Sequence, residues 1–342
     1  MDALDRRIIA ALQIDGRASW RRIASALGEN DRTVARRGSR LIESGAVTVT
    51  GLWSSGECVI VRLNCRPGTV RETALAAARW PDTVFGYILA GESDCVAEVQ
   101  CPPERLPEFM LDEVPRLPGL VSRHVTPVLR YFRTVHEWRP GILSPDEVAA
   151  LERDASPSAR SDATGPVTPP QIELSSEESA ILRALAEDGR RTHEELAAIA
   201  GVSEATARRK VEALTRTGAV VLRASVEPAL LGLPVEAMLW IRTRPGDVEE
   251  VGELLLDSPL VRYAATVMGE YQLLVHVAQP SKQALHAYLT DSPWVRRAEA
   301  VQSHLLVEAL KRSATPTRLM RRLTDGPGDG RADDVVVAAL RS

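Results

Sequence analysis

The chain has 342 residues, of which 44% are hydrophobic and 26% are charged, and its formal net charge is −4. This composition is ordinary for a globular protein, the length favours more than one domain, and no apolar run is long enough to cross a bilayer. The acidic balance argues against a protein that coats nucleic acid through overall positive charge, so any such contact must come from a local basic cluster.

The N-terminal segment Met1–Asp5 is acidic and lacks the apolar core of a signal peptide, so we expect a cytoplasmic protein. Four cysteines are present, and they lack both the Cys-x-x-Cys pairs and the nearby histidine pairs of a zinc site. We interpret Cys58, Cys65, Cys95 and Cys101 as small apolar side chains of a reduced interior. The sequence indicates no cofactor and no metal.

The most informative feature of the sequence is an internal repeat. One constant displacement along the chain, the first shift, carries Asp15-Gly16-Arg17 onto Asp188-Gly189-Arg190 without a gap. A slightly larger displacement, the second shift, carries Arg66-Pro67-Gly68 onto Arg244-Pro245-Gly246. We therefore predict a tandem duplication of a unit that contains two domains, with one short insertion between the two repeated blocks.

The predicted boundaries follow the repeat and the composition of the connecting segments. Ser144-Pro145-Asp146-Glu147 has the pattern that opens a helix, and residues 154–171 are rich in Ser, Ala, Pro, Gly and Thr, which is typical of a flexible linker. The predicted segments are a first helical domain (1–52), a first βαββαβ domain (57–133), a short helix and linker (134–174), a second helical domain (175–226), a second βαββαβ domain (234–312) and a disordered tail (313–342).

Each helical domain is predicted to contain three short helices. In the first, Leu4, Ile8 and Leu12 recur at helical spacing, and Gly16 is suited to a left-handed cap at the end of that helix. A second helix runs from Ser19, Gly28 permits a tight turn, and Asn30 caps a third helix that ends near Ser44.

The second helical domain repeats this pattern, with a Thr192-x-x-Glu195 capping box, a turn at Gly201 and a cap at Ser203. Three short helices with a glycine turn before the last are typical of a helix-turn-helix domain.

The third helices carry the polar and cationic side chains that a recognition helix needs in the major groove. Arginine can pair with guanine edges or with phosphate, and base contacts come mainly from the N-terminal end of the helix. The candidate DNA-binding residues are Arg32, Thr33, Arg36, Arg37 and Arg40 in the first unit, and Ser203, Thr206, Arg208, Arg209 and Lys210 in the second.

The two helical domains differ in charge. Residues 1–50 hold nine arginines against six acids, whereas residues 175–225 hold eight basic and eight acidic side chains. We expect stronger phosphate attraction for the first unit and different half-sites for the two. The alternative is that these cations only form a solvent-exposed helix face and make no contact with DNA.

Each βαββαβ domain is predicted from strands of alternating polarity, such as 58–64, separated by two helices. The order suggests a ferredoxin-like sheet with one face covered by helices and the other free for a second domain or a ligand. The overall prediction is an α+β fold with two winged helix-turn-helix domains, each followed by a ferredoxin-like domain. In each sheet a hairpin turn joins the second and third strands, at Gly91–Asp94 (turn one) and at Gly269–Gln272 (turn two).

A helix-turn-helix followed by this domain resembles the Lrp/AsnC family of bacterial and archaeal transcriptional regulators. The resemblance rests on Leu4-Asp5, Ile8-Ile9, Leu12, Asp15-Gly16-Arg17, the Gly28 turn, Leu41, Gly45-Ala46-Val47 and the Gly-x-x-Asp pattern of turn one. It covers both units.

The resemblance implies double-stranded DNA as a partner, assembly through the sheets, and an amino-acid effector bound near these turns. The candidate effector-binding residues are Gly91, Glu92, Ser93 and Asp94 in turn one, and Gly269, Glu270, Tyr271 and Gln272 in turn two. Gln272 replaces the family's Asp and supplies no charge for an ammonium group, which puts the second site in doubt. The alternative is that both are plain hairpin turns.

Family members usually carry one unit per chain. Two units in one chain could form an intramolecular pseudo-dimer whose unlike third helices read an imperfect palindrome, or could assemble further into a homo-oligomer.

Two rival interpretations remain open. Sirohaem decarboxylases resemble the same architecture, sometimes as fused pairs, and the candidate residues for such an enzyme are Arg123, His124 and His276. His276 is explained more simply as a packed residue on a strand. The third possibility is an interaction module whose helix-turn-helix domains no longer bind DNA.

Overall fold

The computed structural model describes residues 1–52, 57–153 and 174–325, and elements recur in the same order in both halves. We call residues 1–133 the first unit and residues 175–312 the second unit. The predicted linker and the C-terminal segment 326–342 lie outside the described residues.

The first unit begins with three helices and a short strand, namely α1 (Ala3–Ile14), α2 (Trp20–Leu27), α3 (Asp31–Glu43) and β1 (Val47–Leu52). Gly28 adopts the left-handed conformation, with φ of 67°, that the turn between α2 and α3 requires. The side chain of Asn30 accepts hydrogen bonds from the backbone N–H groups of Arg32 and Thr33, which confirms the predicted cap.

The remainder of the first unit has the predicted βαββαβ order. Its elements are β2 (Cys58–Cys65), α4 (Val70–Ala78), β3 (Thr83–Ala90), β4 (Cys95–Gln100), α5 (Leu106–Glu108) and β5 (Leu120–Arg133). After α5, residues 109–116 continue as irregular helical turns. The predicted helix α6 (Pro145–Arg153) follows, and Ser144 and Glu147 form its capping box.

The second unit and the segment after it repeat the pattern. The elements are α7 (Ser176–Glu187), α8 (His193–Ala200), α9 (Glu204–Arg216), β6 (Val221–Val226), β7 (Val235–Thr243), α10 (Val248–Leu256), β8 (Val261–Val267), β9 (Leu273–Gln279), α11 (Lys282–Asp291), β10 (Ala298–Arg312), β11 (Thr315–Pro316) and α12 (Arg318–Asp325). The predicted capping box at Thr192 and Glu195 and the predicted cap at Ser203 are both present.

The eight long strands form one closed, barrel-like sheet in the order β3-β4-β2-β5-β8-β9-β7-β10, and β10 pairs with both β7 and β3. Two of these pairings join the units, because β5 pairs with β8 and β10 pairs with β3. The fold is α+β as predicted. The expectation of two separate sheets is corrected, since the edge strands of each half pair with the other half and leave no free edge.

The two helix-turn-helix domains also join within the chain. Strand β1 pairs antiparallel with β6, from Val47 opposite Val226 to Leu52 opposite Val221. The guanidinium of Arg17 donates to the carbonyl oxygen of Arg191 at 2.8 Å, and Arg190 reciprocates toward the carbonyl oxygen of Gly16 at 2.6 Å. The repeated Asp-Gly-Arg segments therefore dock the two domains on each other.

This docking corrects the role predicted for Gly16. Gly16 does not adopt a left-handed conformation, so it is not the predicted left-handed cap. A Cβ atom at this position would lie 2.7 Å from Val49 and 2.9 Å from the carbonyl oxygen of Leu222. Glycine is required here because the backbone of the second unit approaches too closely for a side chain.

The segment after Arg312 corrects a second prediction. Residues 313–325 are not disordered: they turn back on β10 and form β11 and α12. Thr317 donates its hydroxyl to the carbonyl oxygen of Ala309 at 2.7 Å, and Met320 is buried against the core of the first unit. The segment is mostly polar, so its composition did not indicate that these few residues anchor it to the rest of the unit.

The barrel interior contains a buried network of ionisable groups. The carboxylate of Glu236 accepts hydrogen bonds from Arg312 at 2.6 Å and 2.8 Å and from Arg262 at 2.8 Å, and its partner His276 lies 3.0 Å away. These cations keep the pKa of Glu236 well below its usual range despite burial.

A second buried carboxyl joins the two units. Glu98 accepts hydrogen bonds from the hydroxyls of Tyr131 in the first unit and Tyr263 in the second, both at 2.9 Å. Burial outweighs these two hydrogen bonds and raises the pKa of Glu98 to about 7.

The raised pKa of Glu98 predicts a pH-dependent stability. The folded state holds this proton more tightly than the unfolded chain does, so the stabilisation is complete below the ordinary pKa of 4.5 and is lost as the pH rises through about 7. Glu98→Gln stays neutral, so its stability relative to the wild type should rise by roughly 2–3 kcal/mol between about pH 5 and about pH 8 in urea denaturation.

Glu299→Gln is the matched control, because it makes the same replacement at a half-exposed carboxylate and should change the pH profile less than Glu98→Gln does. Parallel pH profiles for the wild type and Glu98→Gln would contradict the assignment.

Candidate functional site

The third helix of the first unit presents two unpaired cations to solvent. Arg32 and Arg36 are exposed, and their side chains have no hydrogen-bond or ion-pair partner within residues 1–52, 57–153 and 174–325. Thr33 lies half-buried at the start of the same helix. These three residues remain available to a ligand outside the chain.

The other two arginines of α3 have partners inside the domain. Arg37 pairs with Asp2 and, at 3.0 Å, with Asp5, and only 23% of its side chain is exposed. Arg40 is 59% exposed and lies 3.4 Å from Asp5. Arg37 therefore holds α3 against α1, whereas Arg40 keeps most of its surface open.

The third helix of the second unit is largely neutralised by its own acids. Arg208 lies 3.4 Å from Glu204, one turn earlier, and Lys210 lies 3.4 Å from Glu178 of α7. Arg209 is exposed and has no partner in the part of the chain that the structure describes.

The remaining candidate DNA-binding residues of the second unit, Ser203 and Thr206, lie at the start of α9. The hydroxyl of Ser203 accepts the backbone N–H of Thr206 at 3.2 Å, and the two hydroxyls lie 2.9 Å apart. Both residues therefore complete the cap of the helix, and both lie at the end from which base contacts are usually made.

The two hairpin turns use their fourth residue in the same way. The carboxylate of Asp94 in turn one accepts the backbone N–H of Cys65 at 2.7 Å. In turn two the side-chain oxygen of Gln272 accepts the backbone N–H of Thr243 at 3.1 Å. Asp94 and Gln272 both accept a hydrogen bond from the backbone N–H at the end of the neighbouring strand. The absence of a charge at Gln272 therefore does not distinguish the two turns.

Turn one is covered by side chains of both units. Arg62 donates to the hydroxyl of Ser93 at 3.1 Å and stacks on the ring of Trp240, with its guanidinium carbon 4.6 Å from the ring centroid. Gln302 donates to Glu92 at 2.6 Å. The side chains that make these contacts occupy the space in front of turn one.

The ring of His304 fills the position directly against Gly91. A Cβ atom on Gly91 would lie 2.4 Å from the His304 ring, which packs edge-on against Trp240 with centroids 4.7 Å apart. Burial and the nearby Arg62 lower the pKa of His304, so the ring is neutral at pH 7.

Turn two is open by comparison. Gly269 has a φ of 116°, and a Cβ atom built on it would meet nothing within 4 Å. Glu270 is 67% exposed and pairs with Arg242 at 2.9 Å, and Met268 beside the turn is 53% exposed. Tyr271 is half-buried and packs on the cluster inside the barrel.

The sequence reasoning missed the residues that surround turn one. They are Arg62 on β2, Trp240 on β7, and Gln302 and His304 on β10. The repeat held one usable signal, because the second shift places Arg62 and Trp240 at equivalent positions of the two units. Equivalent positions that contact each other lie at the pseudo-twofold axis between the units.

The residues proposed for the rival enzyme are not brought together as an open site. His276 is buried inside the barrel, where its ring contacts Glu236, and burial lowers its pKa to about 4. His124 is exposed and Arg123 half-buried on β5. The packed interpretation of His276 matches this environment.

Two clefts stand out in the described residues, and neither is lined by the turns. One lies between the start of β1, β6 and α12, and the other is formed by segments that include Gln13, His136 and Arg223. Among the described residues, no group of His, Cys, Asp and Glu side chains is arranged to hold a metal ion, and no helix could span a membrane.

Comparison with known proteins places these features in a family. The model of the AsnC-type helix-turn-helix domain matches residues 1–42 and 179–215, and the model of the Lrp/AsnC ligand binding domain matches residues 236–316. The regulator Ptr1 of Methanocaldococcus jannaschii is 32% identical over 114 residues, which cover 32% of this chain and 76% of that protein. The chain belongs to the Lrp/AsnC family.

A second relative supports the same assignment. The transcriptional regulator FL11 of Pyrococcus horikoshii is 26% identical over 143 residues, which cover 40% of this chain and 95% of that protein. The matched stretch of each relative is about as long as one unit of this Lrp/AsnC chain, and the two matched helix-turn-helix segments fit a tandem arrangement.

The whole chain also has a structural relative. The sirohaem decarboxylase NirDL has a TM-score of 0.59 and 13% identity, and the match covers 98% of this chain and 99% of that one. At this identity the likeness shows a shared fold.

The contact between Gly91 and His304 gives a stability test for this Lrp/AsnC chain. Gly91→Ala places a methyl group against a buried ring and should lower the free energy of unfolding by about 1–3 kcal/mol in urea denaturation. His304→Ala in the same chain makes room for that methyl group, so adding Gly91→Ala to His304→Ala should cost much less.

Gly246→Ala is the matched control, because a Cβ there meets nothing within 4 Å. Equal losses for Gly91→Ala with and without His304 would show that the ring does not press on the turn.

Proposed function

We propose that this chain is a sequence-specific DNA-binding transcriptional regulator that acts as an intramolecular pseudo-dimer. The observation that carries the proposal is a pair of exposed cations on the third helix of a family-matched helix-turn-helix domain, Arg32 and Arg36, which have no partner in the described part of the chain. Such side chains at the N-terminal half of a recognition helix can bind base edges or phosphates.

The pairing of β1 with β6 and the reciprocal contacts of Arg17 and Arg190 support a fixed arrangement of the two third helices. One chain then supplies both recognition helices of the DNA-binding surface. Because α3 and α9 begin with different residues, the site is an imperfect palindrome with unlike half-sites. Each half of the barrel corresponds to a ferredoxin-like sensing domain of the family.

The proposal includes control by a small molecule such as an amino acid. Turns one and two lie where the two units meet, so a ligand bound in this region is sensitive to how the units are arranged. A ligand that binds one arrangement of the units more tightly than another makes that arrangement more populated. The spacing of the third helices then changes to an extent set by the difference between the two affinities.

A sirohaem-decarboxylase-like enzyme is the second candidate, supported by the likeness of the whole chain to NirDL. One observation weighs against it: His276 is buried inside the barrel, where its ring contacts Glu236. Incubation of the purified chain with sirohaem, followed by mass analysis of the tetrapyrrole, tests it, and loss of carboxyl groups would favour the enzyme.

The regulator proposal predicts which arginine matters for DNA binding. The full chain is used to select fragments of genomic DNA, and the shared motif is then made as a labelled duplex. Arg36→Ala should weaken binding to this duplex about 10-fold or more in fluorescence anisotropy, because one direct contact to a base or phosphate is lost. Arg209→Ala should weaken it less, since α9 lies in a neutral domain.

Arg116→Ala is the control, because that side chain is 76% exposed on the outside of the βαββαβ half of the first unit. Selection of no duplex above background would contradict the proposal, and so would equal binding by Arg36→Ala and the wild type.

The intramolecular pseudo-dimer predicts the ratio of protein to DNA. One chain should saturate one duplex that carries both half-sites, as measured by analytical ultracentrifugation of the complex. A minimum of two chains on a single motif would show that the two units of one chain do not read the site together.

A further inference from the structure

We infer that the two ligand positions of the barrel are not equivalent: turn one is filled by the chain's own side chains, and one free amino acid binds per chain at turn two. The inference rests on the proposed ligand-binding role of the βαββαβ domains and adds which turn binds, how many ligands bind, and which groups hold them.

The first step concerns what fills turn one. His304 lies against Gly91, Gln302 donates to Glu92, and Arg62 donates to Ser93. Because His304 is 1% exposed, it occupies this space in the manner of a bound ligand. A second molecule would have to displace a ring packed on Trp240.

The second step compares the same place in the other unit. Under the second shift of the repeat, Thr126 of β5 corresponds to His304 and His124 corresponds to Gln302. The backbone N–H of Met268 donates to the carbonyl oxygen of Pro127 at 3.1 Å, which brings turn two beside Thr126 just as Gly91 lies beside His304. Threonine is much smaller than histidine, and the space in front of Gly269 is open.

The third step is the chemistry around turn two. Arg242 lies 2.9 Å from Glu270 and 3.8 Å from Glu299, and such exposed ion pairs contribute little to stability and can exchange partners. A zwitterion matches this pair, because its ammonium group can bind Glu270 and its carboxylate can bind Arg242. The exposed side chain of Met268 and the half-buried Tyr271 offer apolar contacts, so the ligand is an amino acid with an apolar side chain.

The experiment exchanges the residues that differ between the turns. Each of the common L-amino acids is tested against the full chain by thermal shift, and the best is titrated by calorimetry. The wild type should bind one ligand per chain. Thr126→His should fill turn two and reduce affinity at least about 10-fold, whereas the matched control Thr126→Val should bind as the wild type does.

A second variant tests turn one independently. His304→Thr empties the space beside Gly91 and should leave the site at turn two intact. Two ligands per wild-type chain, or loss of binding in His304→Thr with normal binding in Thr126→His, would overturn the inference.

Binding of none of the amino acids would also overturn it. DNA binding by the same samples is measured separately, so failure of the inference is distinguishable from failure of the regulator proposal.

Discussion

The fold depends on how the edges of two small sheets are paired. Each βαββαβ half ends in edge strands whose backbone groups need partners, and these partners come from the other half through β5 with β8 and β10 with β3. Closure of the barrel brings Glu98 between tyrosines of both units and brings β10 over turn one. The pairing of β1 with β6 applies the same solution to the helix-turn-helix domains. Neither unit is complete without the other, and the covalent connection keeps them together at any protein concentration.

The sequence predicted well those features that depend on local chemistry. The caps at Asn30 and Ser203 and the left-handed turn at Gly28 follow from side chains within a few residues of the backbone that they satisfy. The repeat predicted two units and the order of their elements. Contacts between distant residues left no periodic signal. Gly16 was expected to end a helix, yet it is fixed by the approach of Leu222. Helix α12 was hidden by a polar composition, because only a few residues such as Met320 anchor it.

The candidate sites show the same division. The cations of α3 could be found from the sequence, but the sequence could not show that Arg37 is held by Asp2 and Asp5 while Arg36 has no partner among the described residues. For the turns, reasoning from charge alone gave Asp94 and Gln272 different roles, although both bind the end of a neighbouring strand. The difference between the turns comes from residues on strands that lie far away in the chain. Such residues become informative only when the register between the units is known.

The stacking of Arg62 on Trp240 has a consequence for the symmetry of this architecture. In an assembly of two identical subunits, a position on the symmetry axis meets its own copy, so that place would hold either two guanidinium groups facing each other or two indole rings. Two cations at that separation would repel each other, whereas a guanidinium above an indole ring is attracted to the ring. Two units within one chain are released from this self-complementarity, because each can change without altering its counterpart. The Arg62–Trp240 pair is thus a contact that an assembly of two identical subunits could not make at its axis.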